Sequence, residues 1–237
     1  MGKLFDLDSP IMSFFSKMAD LIGLNILAFI CCIPIVTAGA SMTALHYVCL
    51  KLVRNEEGYI VKSFFKSFKQ NFKQATIIWL IWLGVMLIFF GDLMIFMYSG
   101  IEFPGWLRVV FLAVVLLSIF ATMHVFPILS RFENTVGNTY KNSLLMGVLA
   151  FPKTILMMAA WVVPALLVVF IPPLTPIALC LGISGPAFIS ALLYNGTFKR
   201  FEPQEEEISD DWFIEPEETE EIEETEENMT AEDATEE

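Results

Sequence analysis

Residues 64–80 read FFKSFKQNFKQATIIWL. Lysines are set among phenylalanines, and the chain then enters an apolar run that meets no charge until Asp92. On a helix each residue turns by about 100°. With Phe64 at zero, Phe68, Phe72 and Phe65 fall at about 40°, 80° and 100°, and Lys69, Lys62, Lys73 and Lys66 at about 140°, 160°, 180° and 200°. Ser63, Ser67 and Gln70 fill most of the remaining arc. This division predicts an amphipathic helix in a membrane interface, with phenylalanines at the acyl boundary and lysines at anionic headgroups. The aromatic arc equally suits packing on the protein's own helices, and a helix wedged between lipid and bundle combines the two.

The apolar segments on either side of this strip decide the fold. Five long, mostly uncharged apolar runs occupy residues 21–44, 75–98, 106–129, 154–171 and 174–195. About 20 apolar helical residues cross a bilayer core. Backbone in lipid must satisfy its own hydrogen bonds, and these runs lack the alternation of barrel strands. The chain therefore reads as all-α. It is a polytopic membrane helix bundle of about five transmembrane helices, with an amphipathic interfacial helix before the second span. Composition agrees: of 237 residues 56% are hydrophobic. A soluble domain needs more polar residues to cover its surface. The opening part of the first run, Leu21 to Val36, is followed by Ala38-Gly39-Ala40, which resembles a signal-peptidase site. The acidic residues Asp6, Asp8 and Asp20 offset Lys3 and Lys17 before it, so the run is expected to stay as a membrane helix.

The net charge of −13 has to be split by region. From Glu202 onward there are 19 acids and no Lys or Arg, whereas residues 1–201 hold 14 basic and 8 acidic side chains. The domain reading is a membrane bundle over 1–201 and a disordered acidic cytoplasmic tail over 202–237. The tail solvates itself or draws a basic partner. Nothing points to nucleic acid.

Lys and Arg collect on the cytoplasmic side of membrane proteins. Lys51, Arg54, Lys62, Lys66, Lys69 and Lys73 lie between spans one and two, Arg131, Lys141 and Lys153 between three and four, and Lys199 and Arg200 after five. Lys3, Lys17 and Arg108 oppose them. The richer side is expected inside, which puts the N-terminus outside. The alternative for residues 1–50 is a short re-entrant hairpin with the N-terminus inside.

Polar groups within spans are the functional candidates. Asp92 and Arg108 lie eight residues either side of Gly100. They form a candidate pair pinning the hairpin of spans two and three, or Asp92 lines a path. His124 is expected to bond a neighbouring helix, and Asn25 to act as interhelical glue. Gly84 and Gly91 suit close packing. Pro34, Pro164 and Pro186 are expected helix breaks, of the kind transporters use to bind solutes. Cys31, Cys32, Cys49 and Cys180 show no metal-ligand spacing and read as small buried residues. No nucleotide-binding, hydrolase or zinc-protease motif appears, so no enzyme, metal or cofactor is expected. The oligomeric state is open.

The motifs Asn25-Ile26-Leu27, Cys31-Cys32-Ile33-Pro34-Ile35-Val36-Thr37-Ala38-Gly39-Ala40, Ala44-Leu45 and Ser63–Gln74 resemble the YesL-like family of bacterial membrane proteins, a domain of unknown function. The resemblance spans about residues 5–200 and is most distinctive in the first 80; the tail lies outside it. It implies a bacterial plasma-membrane protein associated with uptake and degradation of plant-type oligosaccharides, with a sugar transporter subunit as a possible partner. It carries no catalytic or ligand residues across.

Overall fold

The computed structural model describes residues 10–56, 58–98 and 104–202. Two compact units divide the chain, residues 1–198 and 199–237. Of the second, only the end of the last helix and Glu202 are described. The acidic tail from residue 203 and the turn around Gly100 lie outside the described residues.

Eight α-helices are described: α1 Pro10–Cys32, α2 Ala38–Arg54, α3 Ile60–Tyr98, α4 Gly105–Arg131, α5 Val136–Leu149, α6 Phe151–Phe170, α7 Thr175–Leu181 and α8 Ser184–Phe201. Five of them, α1, α2, α3, α4 and α6, are long and apolar enough to cross a membrane, and the segments on either side of the α7–α8 break, bent by 61°, make either a sixth, broken span or a re-entrant loop. The most apolar window of α3 has none of its residues buried inside the protein. Leu87, Ile88, Phe90, Val109, Leu112, Val169 and Phe170 are likewise exposed. Apolar faces of this extent call for lipid around them.

The first run corrects the expected single span over 21–44. It is two helices, and they form an antiparallel hairpin. Leu24 and Ala28 of α1 share a core with Ala44, Leu45 and Val48 of α2. The Ser41 hydroxyl donates to Ala28 O at 2.9 Å, and Lys17 Nζ donates to Asn55 Oδ1 at 2.6 Å. Pro34 does break the helix there. Thr37 Oγ1 donates to Cys31 O (2.6 Å) and Pro34 O (2.8 Å), and Trp79 Nε1 of α3 donates to Ile35 O (2.7 Å). Three carbonyls of the apolar turn are thereby paired within the protein.

Helix α2 is the hub, with a buried row from Ala38 to Leu50. Small residues at its start let α3 approach closely. A Cβ on Gly39 would lie 2.6 Å from both Ala75 O and Trp79 Cβ. Gly147 does the same for α5 against Phe120 of α4. Gly84 and Gly91 have nothing within 4 Å, so the close packing expected there lies instead at Gly39 and Gly147.

The lysine strip is part of α3 and not a separate interfacial helix. Phe64, Ser67, Ala75 and Ile78 are buried, and Phe68 packs on the core, so this stripe faces the bundle. Lys62, Lys66, Lys69 and Lys73 point away from the core, and Phe72 is 39% exposed. The aromatic arc thus divides, with Phe64 and Phe68 turned to protein and Phe65 and Phe72 outward. Helix α5 is the short connecting helix between α4 and α6, started by Thr135, whose side chain accepts from Asn138 N.

Helix α6 runs unbroken through Pro164, against the expected break. In the last span the break falls at Gly182-Ile183, and Pro186 stands in the first turn of α8. A proline there removes an N–H that would have no intrahelical partner.

Candidate functional site

The break between α7 and α8 leaves backbone groups unpaired inside an apolar bundle. Asn25, from the middle of α1, takes them up. Its Oδ1 accepts from Ile183 N at 2.9 Å and Ser184 N at 3.0 Å, and its Nδ2 donates to Leu179 O at 2.8 Å. One side chain, 3% exposed, ends α7 and starts α8. The glue expected of Asn25 is present, and its partner is a helix break.

From there a row of buried polar groups runs along α8. Cys49 Sγ lies 4.0 Å from Ser184 O, while Ser184 Oγ is buried with no partner among the described residues. Tyr194 Oη lies 3.4 Å from both His46 Nδ1 and His46 O, long for a hydrogen bond. Nearer the chain connections, Arg54 Nε donates to Asn195 Oδ1 at 2.9 Å and Lys153 Nζ to Thr197 Oγ1 at 2.8 Å. Of the four cysteines, all free, only Cys49 is buried; Cys31 and Cys32 are half-buried and Cys180 is exposed.

His124 is fully buried and joins α4 to α6 through a 2.9 Å contact between Nε2 and Thr154 Oγ1. The Thr154 hydroxyl also reaches Gly147 O at 3.0 Å and Ala150 O at 3.2 Å. His124 Nδ1 is buried without a partner among the described residues.

Asp92 is half-buried and Arg108 exposed. Phe111 of α4 packs on both Phe89 and Phe96 of α3, at 5.6 Å from each, which brings the two helices together on either side of Asp92. Among the described residues Asp92 and Arg108 make no ion pair with each other. No group of three or more potential metal ligands is found among the described residues.

His46, Tyr194 and Thr154 give no signal in the sequence. Each sits singly in an apolar run, and only the packing of distant helices brings it to a partner. Tyr140 of α5 is equally inconspicuous. It donates to Ile78 O at 2.9 Å, and burial pushes its phenol above the ordinary value, so it acts as a neutral donor.

Residues 21–93 match the family model described as Protein of unknown function, DUF624. That segment contains Asn25, the turn at Pro34, Gly39, His46 and the lysine strip. No curated protein and no solved structure matches the chain.

Proposed function

We propose that this is a non-enzymatic, multi-pass protein of the bacterial plasma membrane that supports carbohydrate (oligosaccharide) uptake as an accessory or regulator of a transporter. The sugar connection rests on the YesL-like resemblance, which the DUF624 match over 21–93 fits. One observation favours an accessory over a carrier. A carrier leaves its broken helix open to solute, whereas here Asn25 occupies both sides of the break. Crosslinking in native membranes tests the reading: recovery of a sugar transporter subunit is expected, and its absence removes the main support. The acidic tail is offered to a basic partner, and partner recovery unchanged by deletion of residues 202–237 would dismiss that role.

Sidedness belongs to the same proposal. The contacts of Lys17 with Asn55, Arg54 with Asn195, Lys153 with Thr197 and Gln74 with Asn134 O gather the described basic residues from 17 to 153 at one end, Arg108 excepted. By the bias of Lys and Arg that end is cytoplasmic. Because α1 and α2 form a hairpin, the start of α1 shares that end, and this supports the alternative with the N-terminus inside over an N-terminus outside.

A second reading, a small solute transporter, is favoured by the unpartnered Ser184 Oγ and His124 Nδ1. Stabilisation of the purified protein by a plant-type oligosaccharide would favour it over the first.

A further inference from the structure

A cleft of about 330 Å³ opens between α3, α4 and α5, at the low end of the roughly 300–1,000 Å³ of ligand pockets. Its walls are apolar, and Ile81, Val114 and Leu117 are 46%, 45% and 43% exposed, so its mouth faces lipid. The hydroxyls that line it are already used: Ser118 donates to Val114 O, Thr122 to Ser118 O and Tyr140 to Ile78 O. Two donors remain. The indole N–H of Trp82 is buried with no acceptor among the described residues. Lys141 lines the cleft on α5, in the connection that also carries Arg131 and Lys153, and is exposed. The cleft rises along α4 from Thr122 to Val114, a span of about 12 Å at 1.5 Å per residue. An apolar slot with a cation at its basic end matches an amphiphile: acyl chain and anionic headgroup.

We propose that this cleft is a binding site for one anionic phospholipid. The acyl chain lies against Leu117 and Val114, and the phosphate meets Lys141. Basic pockets between membrane helices on the cytoplasmic side take such headgroups. The site differs from the outward lysines of α3, which meet headgroups without a slot. It stands independently of any role in sugar uptake.

Native mass spectrometry of the full-length protein from mixed phosphatidylglycerol and phosphatidylcholine micelles tests it. One phosphatidylglycerol should remain bound preferentially. Lys141→Gln should lower its occupancy about fivefold, the effect of one basic residue at an anionic surface, and leave phosphatidylcholine unchanged. Lys62→Gln, outside the cleft, should change neither. Leu117→Trp, which fills the slot from its lipid-facing wall, should displace the lipid without lowering thermal stability. Retention of phosphatidylglycerol by Lys141→Gln, or an equal loss with Lys62→Gln, would overturn the proposal. So would copurification of a second protein helix in place of lipid.

Discussion

Replacing Asn25 with Leu keeps the bulk of the side chain and removes all three of its hydrogen bonds to the α7–α8 break. Interhelical hydrogen bonds in membrane proteins are worth about 0.6 kcal/mol on average and up to about 1.7. Three of them lost together cost about 2–5 kcal/mol. The upper part applies here because Ile183 N, Ser184 N and Leu179 O would be left without water or partner. Ser184→Ala is the matched control. It removes a buried hydroxyl that has no partner among the described residues, so it should be neutral or mildly stabilising. Equilibrium unfolding of purified protein in mixed micelles, followed by circular dichroism, measures both. Amide exchange at Ile183 and Ser184 should quicken in Asn25→Leu by at least tenfold, the equivalent of about 1.4 kcal/mol. A stability for Asn25→Leu within about 0.5 kcal/mol of wild type, the scatter of neutral substitutions, would refute the reasoning. Equal damage from Ser184→Ala would refute it as well.

Other substitutions probe separate contacts. Gly39→Ala forces a methyl onto Ala75 O and Trp79 and should cost about 1–3 kcal/mol, whereas Gly84→Ala meets nothing and should gain up to about 1 kcal/mol in helix propensity; thermal melts in detergent rank them. A double-mutant cycle of His124→Leu and Thr154→Val should return a coupling of about 0.6–1.7 kcal/mol, and additive losses would mean the 2.9 Å contact contributes nothing. Phe64→Ala should cost about 3–5 kcal/mol and Phe65→Ala, 39% exposed, much less. Changing Lys62, Lys66, Lys69 and Lys73 together to Gln should alter insertion or lipid preference while leaving detergent stability intact, since none of the four is buried in the core.

Where the sequence changes character sharply, the fold is legible. Helices α4 and α6 follow the uncharged runs 106–129 and 154–171 to within a few residues, and α3 ends with the run 75–98 but starts at Ile60, ahead of it, because hydropathy sets which segments lipid accepts and not where a helix begins. The first run misleads because its turn is itself apolar. Cys31, Cys32, Ile33, Pro34, Ile35 and Val36 carry no charge, so hydropathy registers one segment where Thr37 and Trp79 hold a hairpin turn. Polar residues before it, from Ser13 to Asp20, hide the first half of α1. Prolines are ambiguous for a related reason. Pro34, Pro164 and Pro186 look alike in sequence, yet one ends a helix, one is carried within a helix and one opens a helix. The candidate site joins residues 154 to 159 positions apart. Asn25 is recognisable as a polar residue in a span, but its partners at Leu179, Ile183 and Ser184 follow only from tertiary packing.

The hairpin of α1 and α2 carries the account of sidedness, and scanning cysteine accessibility reads it directly. In a background with Cys31, Cys32, Cys49 and Cys180 replaced by Ala, Lys17→Cys and Lys66→Cys are probed with an impermeant thiol reagent in right-side-out and inverted membrane vesicles. Both positions should label only in inverted vesicles, where the cytoplasmic face is outward. Labelling of Lys17→Cys in right-side-out vesicles, with Lys66→Cys confined to inverted ones, would put the start of α1 and the basic start of α3 on opposite sides and contradict it.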